Sequence, residues 1–140
     1  VFDKIPNPSV VLWNLMIRAY AWNGPFEFSI DLYTQMWASG VFPTKFTFPF
    51  VLKACSSLNS IGHGEEIHSH ILRLGFESDV YISTALVDLY AKCGALIQAE
   101  NVFQRMPYRD IVAWNAMIAG FSLHGLYDDI MRLIIGMQEV

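Results

Sequence analysis

Three features of this sequence predict an all-α fold, an α-solenoid of stacked helix-turn-helix repeats wound as a right-handed superhelix: an internal repeat, helical apolar spacing that occurs twice in each repeat, and matching glycine and proline punctuation. Val1 to Asn14 (VFDKIPNPSVVLWN) is read again as Val102 to Asn115 (VFQRMPYRDIVAWN), with every position shifted by 101 residues and no gap. The register continues, so that Met16 and Ile17 match Met117 and Ile118, Gly24 matches Gly125, Leu32 matches Leu133 and Met36 matches Met137. A single repeat unit spans about 20 to 50 residues, so a period this long must divide. Sliding by 35 brings Gly40 onto Gly75, and sliding by 70 brings Tyr20, Ala21 and Gly24 onto Tyr90, Ala91 and Gly94. The units are therefore Val10–Thr44 (35 residues), Lys45–Asp79 (35) and Val80–Asp110 (31), with Val1–Ser9 as the tail of a preceding unit and Ile111–Val140 as an incomplete one.

In the first unit Trp13, Met16, Ile17 and Tyr20 recur at i, i+3, i+4 and i+7. After the Gly24-Pro25 break, Phe26, Ile30, Tyr33 and Trp37 recur at i, i+4, i+7 and i+11. Each unit is thus a helix pair. Pro25 suits a first helical turn, where its missing N–H is not needed, and Gly40 is placed to stop the second helix. Gly75 and Gly94 repeat the stop. The short unit has Ile82, Leu86, Leu89 and Tyr90, then Leu96, Ala99, Phe103 and Met106, closed by Pro107. A lone helix pair cannot bury both apolar stripes, so neighbouring pairs must stack around one continuous core. Trp13, Trp114, Met36 and Met106 belong to that core, and Trp22 and Trp37 are candidates to cover the helix-pair seam.

Apolar residues make up 54% of the sequence, yet no run approaches the roughly 18 uninterrupted apolar residues of a membrane-spanning helix. The sequence starts without methionine inside one unit and stops inside another, which reads as a segment of a longer protein. It opens with no charged stretch followed by an apolar one, as a secretory signal would have. His63-Gly64-Glu65 spells the H-x-E half of a zinc deaminase site, but no P-C-x-x-C half accompanies it. His68 and His70, two residues apart, do not share a helical face, so no metal site is expected from them. Glu65 and Glu66 read as a first-turn pair that favours the helix dipole. Cys55 and Cys93 sit singly inside helices and read as buried, reduced thiols. No catalytic constellation, cofactor, metal or small-molecule substrate is expected, and a binding module needs none.

The motifs V-x-x-W-N-x-M-I at Val10–Ile17 and I-x-x-W-N-x-M-I at Ile111–Ile118 resemble the start of a pentatricopeptide repeat. Thr47–Cys55 (TFPFVLKAC) and Asp88–Gly94 (DLYAKCG) are similar to further parts of it. The 35, 35, 31 cycle resembles the P, L and S units of the plant PLS subfamily. There, Phe103-x-x-Met106-Pro107-x-Arg109-Asp110 looks like the end of a short unit and Gly62–Gly75 like that of a long one.

This resemblance implies sequence-specific recognition of single-stranded RNA in mitochondria or chloroplasts, about one base per repeat, within an RNA-editing or RNA-processing factor that works with other editing-complex proteins. A splayed base can be stacked on side chains and hydrogen-bonded along its edge by two or three residues of a helical repeat. The base-reading residues it implies are Asn14, Thr84 and Asn115, working with the last residue of their own units: Asn14 with Thr44, and Thr84 with Asp110. Asn115 has no partner within the incomplete unit. In the family's rules threonine with aspartate favours guanine and asparagine favours pyrimidines, while Thr44 leaves cytosine against uracil open. The long unit puts Pro49 at the reading position, so its terminal Asp79 reads poorly alone. Val11, Phe46, Tyr81 and Val112 correspond to the wedge that slots between bases.

The asparagines sit beside tryptophans of the buried stripe and so point the opposite way, into the groove. Charge fits this reading less well, because nine Lys and Arg face thirteen Asp and Glu for a net −4, whereas nucleic-acid binders usually carry a basic patch. Lys45, Lys53 and Lys92 are candidates to cluster along the groove-facing helices. The alternative is an α-solenoid scaffold for protein partners, with the long unit contributing most.

Overall fold

The computed structural model describes residues 9–125, 130–132 and 134–135. The repeat matches at residues 1–8, Leu133 and Met137 lie outside these. Seven named helices follow one another among the described residues: α1 Val10–Asn23, α2 Phe26–Ala38, α3 Phe48–Ser57, α4 Ile61–Leu74, α5 Val80–Lys92, α6 Leu96–Arg105 and α7 Ile111–Leu123. Residues 130–132 and 134–135 are also helical. The odd-numbered helices pack side by side as one layer, and each even-numbered helix lies across its own partner and the next odd helix. This is the two-layer α-solenoid that the paired apolar stripes require.

Side-chain caps explain where α1, α5 and α7 begin. Ser9 accepts from the Leu12 N–H, Asp79 from those of Tyr81 and Ile82, and Asp110 from that of Ala113, each satisfying amides that have no intrahelical acceptor. The third helix departs from this pattern. It starts at Phe48, three residues into the predicted unit, with Pro49 in its first turn, where the missing N–H is harmless. Lys45, Phe46 and Thr47 form a turn instead.

Pro25 stands one residue before α2, at its N-cap, rather than inside the first turn. Helix α4 starts at Ile61, so Glu65 and Glu66 fall beyond its first turn and do not serve the dipole role expected of them. Gly40, Gly75 and Gly94 take positive φ of 79°, 78° and 81°. The amide after each bonds back to the carbonyl five residues before it, at Met36, Ile71 and Tyr90, which is the helix stop that glycine permits. Asn59, with φ of 53°, does the same after α3, its next amide reaching Cys55 O.

The core runs unbroken from Trp13 and Ile17 through Met36, Phe48, Leu52, Ile71, Leu86 and Leu89 to Phe103, Met106, Trp114 and Met117. Ser29 Oγ inside it donates to Ile17 O at 3.0 Å and ties α2 to α1. Two glycines set close approaches: a Cβ on Gly64 would collide with Leu89, and one on Gly120 with Ala91. On the outer side Trp37 packs on His70 of α4, 4.7 Å between ring centroids, reaching the neighbouring unit rather than covering the seam of its own helix pair. Trp22 stays 59% exposed on the opposite layer.

Candidate nucleic-acid interface

The four predicted wedge residues, Val11, Phe46, Tyr81 and Val112, are all exposed, at 56–73%. Val11, Tyr81 and Val112 occupy the second position of α1, α5 and α7, and Phe46 lies in the turn before α3. Large apolar side chains held out of the core at one repeated offset make a surface that folding alone does not call for.

Three helical residues further along are the predicted readers, and the structure treats them differently. Asn14 is half-buried and bonded on both sides: its Nδ2 donates to Thr44 Oγ1 at 3.4 Å, and its Oδ1 accepts from Thr47 Oγ1 at 2.5 Å. The Thr44 amide donates to Thr47 Oγ1 and the Phe46 amide to Thr44 Oγ1, closing the network. The Asn14 and Thr44 pair is therefore in contact. Thr47, fully buried, was not singled out from the sequence; the signal was a hydroxyl two residues before a helix-starting proline.

Thr84 has the same helical position in α5 but its Oγ1, though buried, has no hydrogen-bond partner. It opens onto a concavity of ≈ 430 Å³ between α5 and α7, shared with Tyr81, Asp88, Val112 and the exposed Asn115. No hydrogen bond joins Thr84 to Asp110, whose Oδ1 is committed to the Ala113 amide at 2.9 Å. Asp79 is likewise committed, to Tyr81 N at 3.0 Å and Ile82 N at 3.1 Å. Pro49 is half-buried in the first turn of α3 and offers no donor.

The three candidate lysines do not form one cluster. Lys45 Nζ lies over the Phe46 ring, 5.4 Å from its centroid. Lys53 Nζ lies 4.4 Å above the Trp22 ring and 3.4 Å from Ala21 O. Lys92 is paired with Asp88 at 3.1 Å, and Ser56 Oγ lies 3.5 Å from the same carboxylate, so little free charge is left there. Arg18, over the Phe50 ring at 5.5 Å, is a cation that the sequence pattern did not flag, although it stands 35 residues before Lys53 at the same repeat offset.

Elsewhere the polar residues are absorbed by structure. His70 Nδ1 and the Tyr33 hydroxyl are 2.7 Å apart, as are His68 Nδ1 and the Tyr90 hydroxyl, so the two histidines face different neighbours. Burial lowers the pKa of both, with Arg105 adding to the effect at His68. His63 bonds to Ser60 Oγ at 2.8 Å. Among the described residues no group of three or more His, Cys, Asp and Glu is placed to hold a metal, and no helix is long and apolar enough to cross a membrane. Cys55 is buried and Cys93 half-buried, both free thiols; burial pushes Cys55 up to about 12 and raises Cys93 as well.

Known proteins of the same kind match along the whole length. The PPR repeat family model matches residues 8–57, and the PPR repeat model matches 81–111 and 112–140. Pentatricopeptide repeat-containing protein At3g16610 of Arabidopsis thaliana is 54% identical over 142 residues, covering 100% of this chain and 22% of its own length. The Arabidopsis protein At4g25270, named chloroplastic, is 45% identical over 140 residues, covering 96% of this chain and 27% of its own. The chain thus spans about a quarter of these relatives. The crystal structure of the pentatricopeptide repeat protein PPR10 in complex with an 18-nt psaJ RNA element superposes with a TM-score of 0.78 at 19% identity, over 99% of this chain and 21% of that one. With family models matching residues 8–57, 81–111 and 112–140, this chain belongs to the pentatricopeptide repeat family.

Proposed function

We propose that this chain is a sequence-specific, single-stranded RNA-binding module of an organelle RNA-editing or RNA-processing factor, engaging about one base per repeat and catalysing nothing itself. Its units are Val10–Thr44, Lys45–Asp79 and Val80–Asp110, of P, L and S type, followed by a partial P unit from Ile111. The observation that carries the reading is the α5–α7 concavity. Its mouth is flanked by Tyr81 and Val112, and a buried hydroxyl without a partner stands within it. An unsatisfied buried hydroxyl costs free energy that a base edge can recover by bonding to it. Tyr81 and Val112 stack on the neighbouring bases, Asp110 supplies the second acceptor, Asn115 reads a pyrimidine at the next unit, and Asn14 with Thr44 reads one two units before. Two further considerations support this assignment: PPR10 is captured with RNA, and several relatives are named chloroplastic or chloroplastic/mitochondrial.

The test is a competition among RNAs that differ only at the base opposite the Thr84 repeat. Thr84→Asn replaces a hydroxyl by an amide and shifts the preferred base from guanine to uracil, with discrimination on the order of 1–3 kcal/mol, as for a well-formed side-chain contact to a base. Unaltered preference in a mutant of unaltered helicity refutes the reading at this unit. A protein-docking scaffold is the second reading, favoured by a cleft of ≈ 280 Å³ on the outer side, lined by His68, Asn101 and Arg105 among others. Capture of a protein partner with no preference among RNAs would replace the first reading by the second.

A further inference from the structure

We infer that the inner face of the α1–α3 seam is a sequence-independent anchor for single-stranded RNA, with Arg18 and Lys53 holding the sugar-phosphate backbone and Trp22 stacking one nucleobase. This rests on the RNA-binding reading above but concerns other residues and a different kind of contact. Two cation–π pairs cross between the helices in opposite directions: Arg18 of α1 lies over Phe50 of α3, and Lys53 of α3 lies over Trp22 of α1. Neither cation forms an ion pair with a carboxylate among the described residues. In a chain of net charge −4, unpaired positive charge gathered at one point of the face has a clear complement in a phosphodiester. The repeat offset that carries Arg18 and Lys53 carries Asp88 and Ala119 in the next units, so the feature is confined to this seam.

Trp22 supplies the second half of the site. Trp13 and Trp114 are 3% and 7% exposed, whereas Trp22 is 59% exposed. Leaving an indole in water forgoes its burial energy, and nothing in the packing demands it. The Lys53 ammonium fixes the ring from one side, and its own position is held by Ala21 O. A fixed, exposed indole beside two cations is the arrangement that binds single strands without regard to sequence, because every base has a π face. It also gives the second unit a task that Pro49 does not prevent.

The experiment measures binding of a labelled uridine homopolymer to the full-length protein over a series of salt concentrations. Replacing Arg18 and Lys53 by Gln lowers the slope of log affinity against log salt by about 0.7 for each phosphate no longer neutralised. Trp22→Ala weakens binding roughly 5- to 100-fold, the range that base–aromatic stacking covers, and Trp22→Phe restores most of it. Base preference at the α5–α7 concavity stays as in wild type in all three. An unchanged slope and affinity in variants of wild-type helicity overturns the anchor while leaving the RNA-binding reading in place. Retention of a polyglutamate peptide in preference to RNA overturns it in favour of an acidic protein partner, and absence of any RNA binding by the wild-type protein overturns both.

Discussion

At the α1–α3 seam the polar side chains are bonded to one another and the cations lie on aromatic rings; at the α5–α7 seam the corresponding Thr84 hydroxyl is buried without a partner and Asn115 is exposed. Asn14 is held by Thr44 and Thr47, while Thr84, at the same helical position, has a buried hydroxyl with no partner. Arg18 and Lys53 lie at one repeat offset, where the second seam has Asp88, already paired with Lys92, and Ala119. The same stacking of helix on helix thus carries two different surfaces. One adds two cations to a reader, Asn14, that is already hydrogen-bonded, and so suits gripping a polyanion as well; the other is unsatisfied and nearly uncharged, suited to selecting a base alone.

The largest expected effect comes from forcing the second seam apart. Gly120→Val drives a side chain into the Ala91 backbone, 3.2 Å from its Cα before relaxation. Separating α7 from α5 should cost about 3 kcal/mol, as overpacking of a tight interface does, and should be visible as faster amide exchange in α7. Protection unchanged from wild type would mean that the seam is looser than described. Next is a matched pair of isosteric replacements. Thr47→Val leaves Asn14 Oδ1 and the Thr44 amide without a partner and should lower stability in urea by about 2 kcal/mol. Thr84→Val removes a hydroxyl that bonds to nothing, and should be neutral or stabilising by several tenths of a kcal/mol. Equal losses in the two would erase the contrast between the seams.

Caps give a smaller, symmetric effect. Asp79→Ala and Asp110→Ala should each cost about 1 kcal/mol of helix stability, because first-turn amides are left without their acceptor. Only the Asp110 variant should also change base preference at the α5–α7 seam, and an equal change in both would mean that Asp110 is a cap alone. The smallest effect is on the outer layer. The folded state lowers the pKa of His68 and His70, so protonation favours the unfolded chain and stability falls as pH drops below the ordinary histidine range. A stability profile that stays flat through that range in wild type, or that is not flattened by His68→Gln with His70→Gln, would contradict this.

Helix pairing and stops were legible because they depend on local patterns: a 3.6-residue apolar period and glycines where φ must be positive. The core tryptophans followed from the same stripe. What escaped depends on contacts between units. Thr47 matters only because Asn14 from the preceding helix pair reaches it, and Arg18 only because Phe50 lies across the seam. Helix α3 starting late was hidden because Pro49 fits either a reading position or a first turn, and Asn59 as a helix stop because asparagine takes positive φ less often than glycine. The acidic pair Glu65 and Glu66 was misplaced because α4 begins at Ile61 without any side-chain cap to mark it.

The central claim, that the cations of one seam grip while the unpartnered hydroxyl of the other selects, is tested most directly by a double comparison in the full-length protein. Lys53→Gln and Thr84→Val are each measured against RNAs varied at one base, at low and high salt. The account predicts that Lys53→Gln weakens all the RNAs alike and reduces the salt dependence, while Thr84→Val flattens the preference for guanine and leaves the salt dependence unchanged. A Lys53→Gln variant that alters base preference, or a Thr84→Val variant that retains it, would contradict the division.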